Sequence, residues 1–180
     1  LTFNLKLFLL LSAIFAVGSF SYSFLLVFAQ LSGFEKTFVP IFYLIFTVVA
    51  SLMSLPFGKL ADVVGRKSVL ILSYGVWALM CVGFMLVESQ IGIALLFVLY
   101  GLHKAAIEPV QRTLVSELSP ERYRASMLGA FQLVVGVCAL PASLIAGLLW
   151  VSLGKFAPFA SSLGLAVIAT VMLLFVKEKR

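Results

Sequence analysis

Tyr100, Lys104 and Glu108 recur at four-residue intervals in a segment that is apolar from Gln90 to Leu102. A helix there carries a phenol, an amine and a carboxyl on one face, and Gln111 extends the row. An ionisable group at the centre of an inserted helix costs roughly 2.5–3.5 kcal/mol and normally faces a bundle interior or water. Lys104 is therefore a candidate solute-binding group and Glu108 a candidate proton carrier. His103, the single histidine, is the side-chain type that titrates near physiological pH and is the second proton-coupling candidate. Each has a plainer reading. Lys104 and Arg112 both lie four residues from Glu108, so Glu108 can serve as a brace near the end of its span. His103 can be a satisfied packing residue. A second polar series, Ser12, Ser19, Ser23 and Gln30, is spaced by seven, four and seven along the first apolar run, with Tyr22 beside it. That spacing puts the series on one face, either lining a cavity or bonding back to its own helix. The candidate cavity residues are thus Ser19, Tyr22, Ser23, Tyr100, His103 and Lys104.

Enzymatic chemistry finds little support. The sequence contains neither H-E-x-x-H nor G-x-S-x-G, and a lone histidine without a neighbouring nucleophile makes a weak site. The expectation is a protein that is not an enzyme, with no catalytic residues, no metal site and no resident cofactor. Cys81 and Cys138 both fall inside apolar runs and read as packing thiols.

The elements that position these residues follow from composition. Of 180 residues, 63% are apolar and 11% charged, against roughly 25% charged in soluble domains. Polar groups are too few to cover the surface, so lipid must. The same arithmetic excludes disordered, nucleic-acid-binding and disulfide-rich secreted classes. A bilayer core needs about 20 apolar residues per helical span, and six runs qualify: about 5–30, 38–57, 68–87, 90–110, 125–150 and 156–176. The first is too long for a signal-peptide core and no cleavage-like site follows it. Open strand edges cannot be satisfied in hydrocarbon. The expected fold is an all-α membrane protein, a single six-transmembrane-helix bundle over residues 1–180.

Charge sorts the connections. Lys6, Lys59, Arg66, Lys67, Arg112, Arg122, Arg124, Lys177, Lys179 and Arg180 fall on one side, Lys36 and Lys155 on the other, and Lys104 within a span. The positive-inside rule places both termini in the cytoplasm and assigns the net charge of +6 to topology rather than to a nucleic-acid partner.

The segment from Gly58 to Leu70 must reverse two helices over a short connection. Gly58 and Gly65 supply small or left-handed positions. Arg66 and Lys67 anchor at headgroup level, and Asp62 needs a positive partner, either an arginine or a helix N-terminus. Gly58, Leu60, Ala61, Asp62, Gly65, Arg66, Lys67 and Leu70 match the pattern G-x-L-A-D-(R/K)-x-G-R-(R/K)-x-x-L. This segment closely resembles the signature loop of the major facilitator superfamily (MFS). Val63 departs from it, standing where the family often has a base. The segment from Gln111 to Arg124, with Gly129 after it, is similar to the family's loop after its fourth or tenth span.

The resemblance implies one six-helix half of a transporter whose halves rock about a midplane site. The runs from Phe20 to Leu26 and from Ala139 to Trp150 look like the C-terminal half of prokaryotic members. In the family the first and fourth helices of each half line the cavity, the second and fifth meet the other half, and the third and sixth face lipid. The implied function is secondary active transport of a small solute by alternating access, in a prokaryotic plasma (cell inner) membrane. The implied partners are the other half, the solute and the bilayer. Coupling to a proton or ion gradient is compatible with it. Gly58, Asp62, Gly65, Arg66 and Lys67 become a conformational latch. Small residues at four-residue spacing in the fifth span, Ala125/Gly129 and Ala139/Ser143/Gly147 with Gly136 between, permit close helix approach, and Pro141 kinks that helix. The paired glycines of the family's drug-antiporter motif are missing around Leu140-Pro141, which argues against that subclass. The alternative is a non-transporting structural or sensory six-helix module, which needs no water-filled cavity.

Overall fold

A computed structural model describes residues 3–178, so Lys179 and Arg180, two of the basic residues assigned to the cytoplasmic side, lie outside the described residues. Among the described residues the regular structure is entirely helical: α1 (Phe3–Gly18), α2 (Tyr22–Leu31), α3 (Val39–Val64), α4 (Arg66–Leu86), α5 (Gln90–Leu118), α6 (Arg124–Leu153) and α7 (Ala157–Leu174), with short 3-10 turns at Lys36–Phe38 and Glu121–Tyr123. Helices are what a lipid environment demands, because each bonds its own backbone. α1 and α2 together form the first of six stretches long and apolar enough to cross a membrane. The fold class read from the sequence is the fold found.

Two local features differ from the sequence reading. The first span, expected as one helix, breaks at Ser19–Ser21. Ser21 is extended (φ −60°, ψ 146°) and its Oγ accepts from Ser23 N, which starts α2. The break leaves the Gly18 carbonyl without a helical donor. Ser162 of α7 supplies one, its Oγ donating to Gly18 O at 2.5 Å while accepting from Trp77 Nε1 at 2.8 Å. Gly18 is needed here, since an added Cβ would stand 2.9 Å from Leu165 Cβ.

The second difference concerns helix ends. Pro56 and Pro109 suggest termini, yet α3 continues to Val64 and α5 to Leu118. Proline removes one backbone donor without ending either helix; the hydroxyls of Ser54 and Thr113 bond Ser51 O and Pro109 O, not the carbonyls four residues before the prolines. Most of the segment that reads as a loop is therefore the last turns of α3. The reversal into α4 is made by Gly65 alone, at φ 94° and ψ 147°.

α5 lies at the centre, packed on α3 and α4, while α1 packs on α7 and α6. Between them runs an aromatic stack in which Phe84 lies parallel to Phe159 and edge-on to Phe28, both at 5.3 Å. At one end of the bundle Asn4 Nδ2 donates to Lys177 O, and Lys67 Nζ donates to the carbonyls of Leu174 and Val176. At the other, Gly33, Glu88 and Lys155 border one depression. The two loop sets separated by charge in the sequence are thus at opposite ends. α3 and α6 stand apart: 11% of each span's most apolar window is buried within the chain, against 33 to 50% elsewhere. Leu44, Leu52 and Leu55 on α3 and Leu133, Leu140 and Leu144 on α6 are exposed.

Candidate functional site: a two-lobed cavity

Lys104 stands at the midpoint of α5, level with the break in the first span, and both open onto one cavity. The first lobe, about 270 Å³, lies between the first span, α5 and α6. Ser12, Ser19, Ser21, Tyr22, Tyr100, His103, Lys104, Glu108, Gln111, Arg112 and Gln132 supply its polar lining. The second lobe, about 500 Å³, lies between α2, α3 and α5, lined by Tyr22, Tyr43, Phe46, Thr47, Ser51, Ser54 and Tyr100. Tyr22, Tyr100, Lys104 and Glu108 border both lobes and form the partition between them.

Lys104 Nζ and Glu108 Oε1 form an ion pair at 2.5 Å, with both side chains partly exposed to the cavity. Arg112, one turn further, has no acidic partner among the described residues. Its Nε and Nη2 reach the Gln132 amide oxygen at 2.9 and 3.2 Å once that amide is turned to face them. Glu108 therefore braces Lys104 and not Arg112. His103 is 1% exposed. Its Nδ1 donates to Ser73 O at 2.9 Å, and Ser73 Oγ donates back to His103 O at 3.2 Å. The ring packs against Phe15 and Trp77. Its bonds tie α5 to α4, and this geometry favours the packing role. Tyr100 packs edge-on to Phe46.

The break changes which polar residues share a face. Ser12 and Ser19 line the cavity, whereas Ser23 is exposed outside its lining and Gln30 lies outside it too. The seven-four-seven spacing assumes a continuous helix, and the extended turn at Ser21 rotates α2 out of that register. Ser12 Oγ is buried without a hydrogen-bond partner, and so is Thr47 Oγ1. Thr47, Ser51 and Ser54 escaped the sequence reading, although their spacing of four and three already places them on one face of α3.

At the bundle end that holds the α3–α4 reversal, Arg66 Nη2 bridges Asp62 Oδ1 at 2.8 Å and Glu117 Oε1 at 3.0 Å, joining α3 to the end of α5. The backbone N–H of Arg66, at the start of α4, donates to Glu178 Oε1 at 2.6 Å, an anion at a helix N-terminus. Asp62 keeps 68% of its side chain exposed, so one face of its carboxylate stays free. At Gly58, by contrast, an added Cβ would meet nothing within 4 Å.

The sequence profile of the Major Facilitator Superfamily matches residues 7–180. An uncharacterised MFS-type transporter of Methanocaldococcus jannaschii is 43% identical over 182 aligned positions, covering 96% of this chain and 45% of that protein. Among solved structures, an autoinhibited POT-family peptide transporter superposes with a TM-score of 0.76 at 17% identity, over 98% of this chain and 39% of that one. The likeness to that structure is one of fold. The chain spans less than half the length of both relatives.

Proposed function

The chain belongs to the major facilitator superfamily, and on that premise we propose that it is one six-helix half, the C-terminal one, of a secondary transporter that moves a small solute by alternating access. It is an integral membrane protein of a transporter family. The observation that carries the finer reading is the two-lobed cavity at Lys104. Polar groups from a broken first span and from α5 converge at the middle of the bilayer, where exposed charge is costly unless water or a solute reaches it. A structural module gains nothing from such an arrangement.

In this reading α3 and α6 pack against the other half, which covers the apolar faces they leave exposed. The end carrying Asp62, Arg66, Lys67 and Glu178 faces the cytoplasm of a prokaryotic cell, as the positive-inside rule requires. The free face of Asp62 engages a helix N-terminus of the partner half and holds one state, while Arg66 keeps it in place through the 2.8 Å pair. Asp62→Asn then reduces transport about tenfold, the effect of removing about 1.4 kcal/mol of bias between two states. Folding and insertion survive, because Arg66 retains Glu117. Normal transport by that variant overturns the latch.

Cysteine accessibility tests the cavity. With Cys81 and Cys138 replaced, cysteines placed singly along Ser12–Tyr22, Thr47–Ser54 and Tyr100–Gln111 react with membrane-impermeant thiol reagents at the cavity positions only. Absence of labelling at Ser19, Thr47 and Lys104 alike favours the structural module.

A further inference from the structure

We propose that the depression at the bundle end opposite Asp62 and Arg66 binds the headgroup of one phospholipid of the phosphatidylethanolamine type. Lys155 takes its phosphate and Glu88 its primary ammonium. This site shares no lining residue with the two-lobed cavity, so it stands or falls independently of the transport reading.

The depression, about 370 Å³, is walled by chain reversals and floored by the buried rings of Phe28 and Phe84. Gly33 turns the chain after α2 at φ 96°, and Gly154 turns it after α6 at φ 94°. Lys155 follows Gly154 directly, and its Nζ lies 4.9 Å from the centroid of the Phe156 ring. Glu88 stands between Val87, which ends α4, and Ser89, whose Oγ caps α5 by accepting from Gly92 N at 3.2 Å. Both charged residues are thus carried on short connections between fixed helices. Both are exposed, they bear opposite charges, and neither forms an ion pair among the described residues. Two opposite charges that border one depression without meeting fit a group that carries both complements. An anionic headgroup meets Lys155 but is repelled by Glu88, and a simple cation suffers the reverse.

The ammonium is primary because Glu88 offers a carboxylate, which binds N–H donors through charge-assisted hydrogen bonds. Choline has no such donor and needs an aromatic face instead. The face of Phe156 is already occupied by Lys155. The zwitterion belongs to a lipid because of where the depression lies. It sits at the ends of apolar spans, where headgroups meet the protein. Next to it an exposed apolar stripe begins on α4: Leu86, Leu79 and Leu72, spaced by sevens and so on one face. An added Cβ at Gly75 would meet nothing within 4 Å, which leaves that face open. From Leu86 to Leu72 the helix rises about 21 Å, more than one leaflet of a roughly 30 Å hydrocarbon core. An acyl chain can therefore follow the stripe along its whole length while its headgroup occupies the depression.

Native mass spectrometry of the whole protein in detergent tests the site, with dioleoyl phosphatidylethanolamine, phosphatidylcholine and phosphatidylglycerol added in equal amounts. The expected result is one phosphatidylethanolamine retained about tenfold over the other two lipids. E88Q removes the preference over phosphatidylcholine, and K155M weakens retention of phosphatidylethanolamine about tenfold. Both side chains are exposed, so both variants fold. Glu35→Gln, at the same end of the bundle but outside the depression, leaves the order of lipids unchanged. Equal retention of the three lipids, or preference for another headgroup, overturns the proposal. So does a preference that persists unchanged in either E88Q or K155M. Calorimetric titration with glycerophosphoethanolamine and with alanine, zwitterions that lack acyl chains, separates lipid from soluble ligand. Neither is expected to bind; binding that depends on Glu88 and Lys155 makes the depression a site for a soluble zwitterion and overturns the lipid assignment.

Discussion

Ser162 illustrates how a single hydroxyl can decide a backbone conformation. It donates to the Gly18 carbonyl freed by the break in the first span and accepts from Trp77 Nε1, at 0% to 1% exposure for both side chains. Its replacement strands two buried polar groups at once, and each unsatisfied group costs about 1–3 kcal/mol. Ser162→Ala is therefore expected to lower the thermal unfolding midpoint by several degrees in detergent or nanodiscs. Ser161→Ala serves as control, since Ser161 bonds only its own helix at Pro158 O. Equal effects of the two substitutions count against this account. Nothing in the sequence around Ser162 singles it out. Its role depends on Gly18 and Trp77, which are remote in the chain and meet only in the packed bundle.

Glycines separate the helix-scale readings. The small residues of the fifth span suggest a helix built for close approach, yet at Gly129, Gly136 and Gly147 an added Cβ would meet nothing within 4 Å beyond the adjoining turns of its own helix. Within the chain, close approach between helices occurs elsewhere. At Gly101 of α5, an added Cβ would meet Phe46 O at 2.7 Å and Val49 Cβ at 2.8 Å on α3. A backbone carbonyl cannot swing aside, so Gly101→Ala is expected to cost about 1–3 kcal/mol and to loosen the α3–α5 contact that walls the second lobe. The reversal between α3 and α4 gives a paired test. Gly65 holds a conformation that side chains rarely adopt, and its Cβ would meet Glu178 Oε2 at 2.9 Å. Gly58 is helical with open space around it. Gly65→Ala should destabilise by about 1–3 kcal/mol, while Gly58→Ala should be neutral or slightly stabilising. Chemical or thermal denaturation of the two variants checks the contrast, and equal effects would sink it.

On the scale of the whole molecule, the weak internal burial of α3 and α6 organises the surface. Both helices expose rows of leucine, and α6 adds an open row of glycines between them. On the proposed pairing, a second six-helix half fits against those glycines. A Cβ added at Gly136 meets nothing within 4 Å, so Gly136→Leu is expected to leave insertion of six spans intact while lowering transport about tenfold or more in reconstituted vesicles. Undiminished transport would place the glycine face of α6 against lipid instead.

The sequence alone determined the class of fold, because hydropathy and the need to satisfy every backbone group in lipid leave few alternatives to six apolar helices. It also determined which loops share an end, through charge, and which helical face carries Tyr100, Lys104 and Glu108, through a period set by local geometry. Packing decided the rest. The first span breaks at Ser19–Ser21 because Ser162 and Leu165, far along the chain, accommodate the break. The second lobe exists because α3 brings Thr47, Ser51 and Ser54 beside Tyr22 and Tyr100. Glu108 takes Lys104 rather than Arg112 because Gln132 of α6 holds Arg112 instead. Periodicity and composition are local sums that a chain carries with it unfolded, whereas the choice among equally spaced partners is made by residues that become neighbours only on folding.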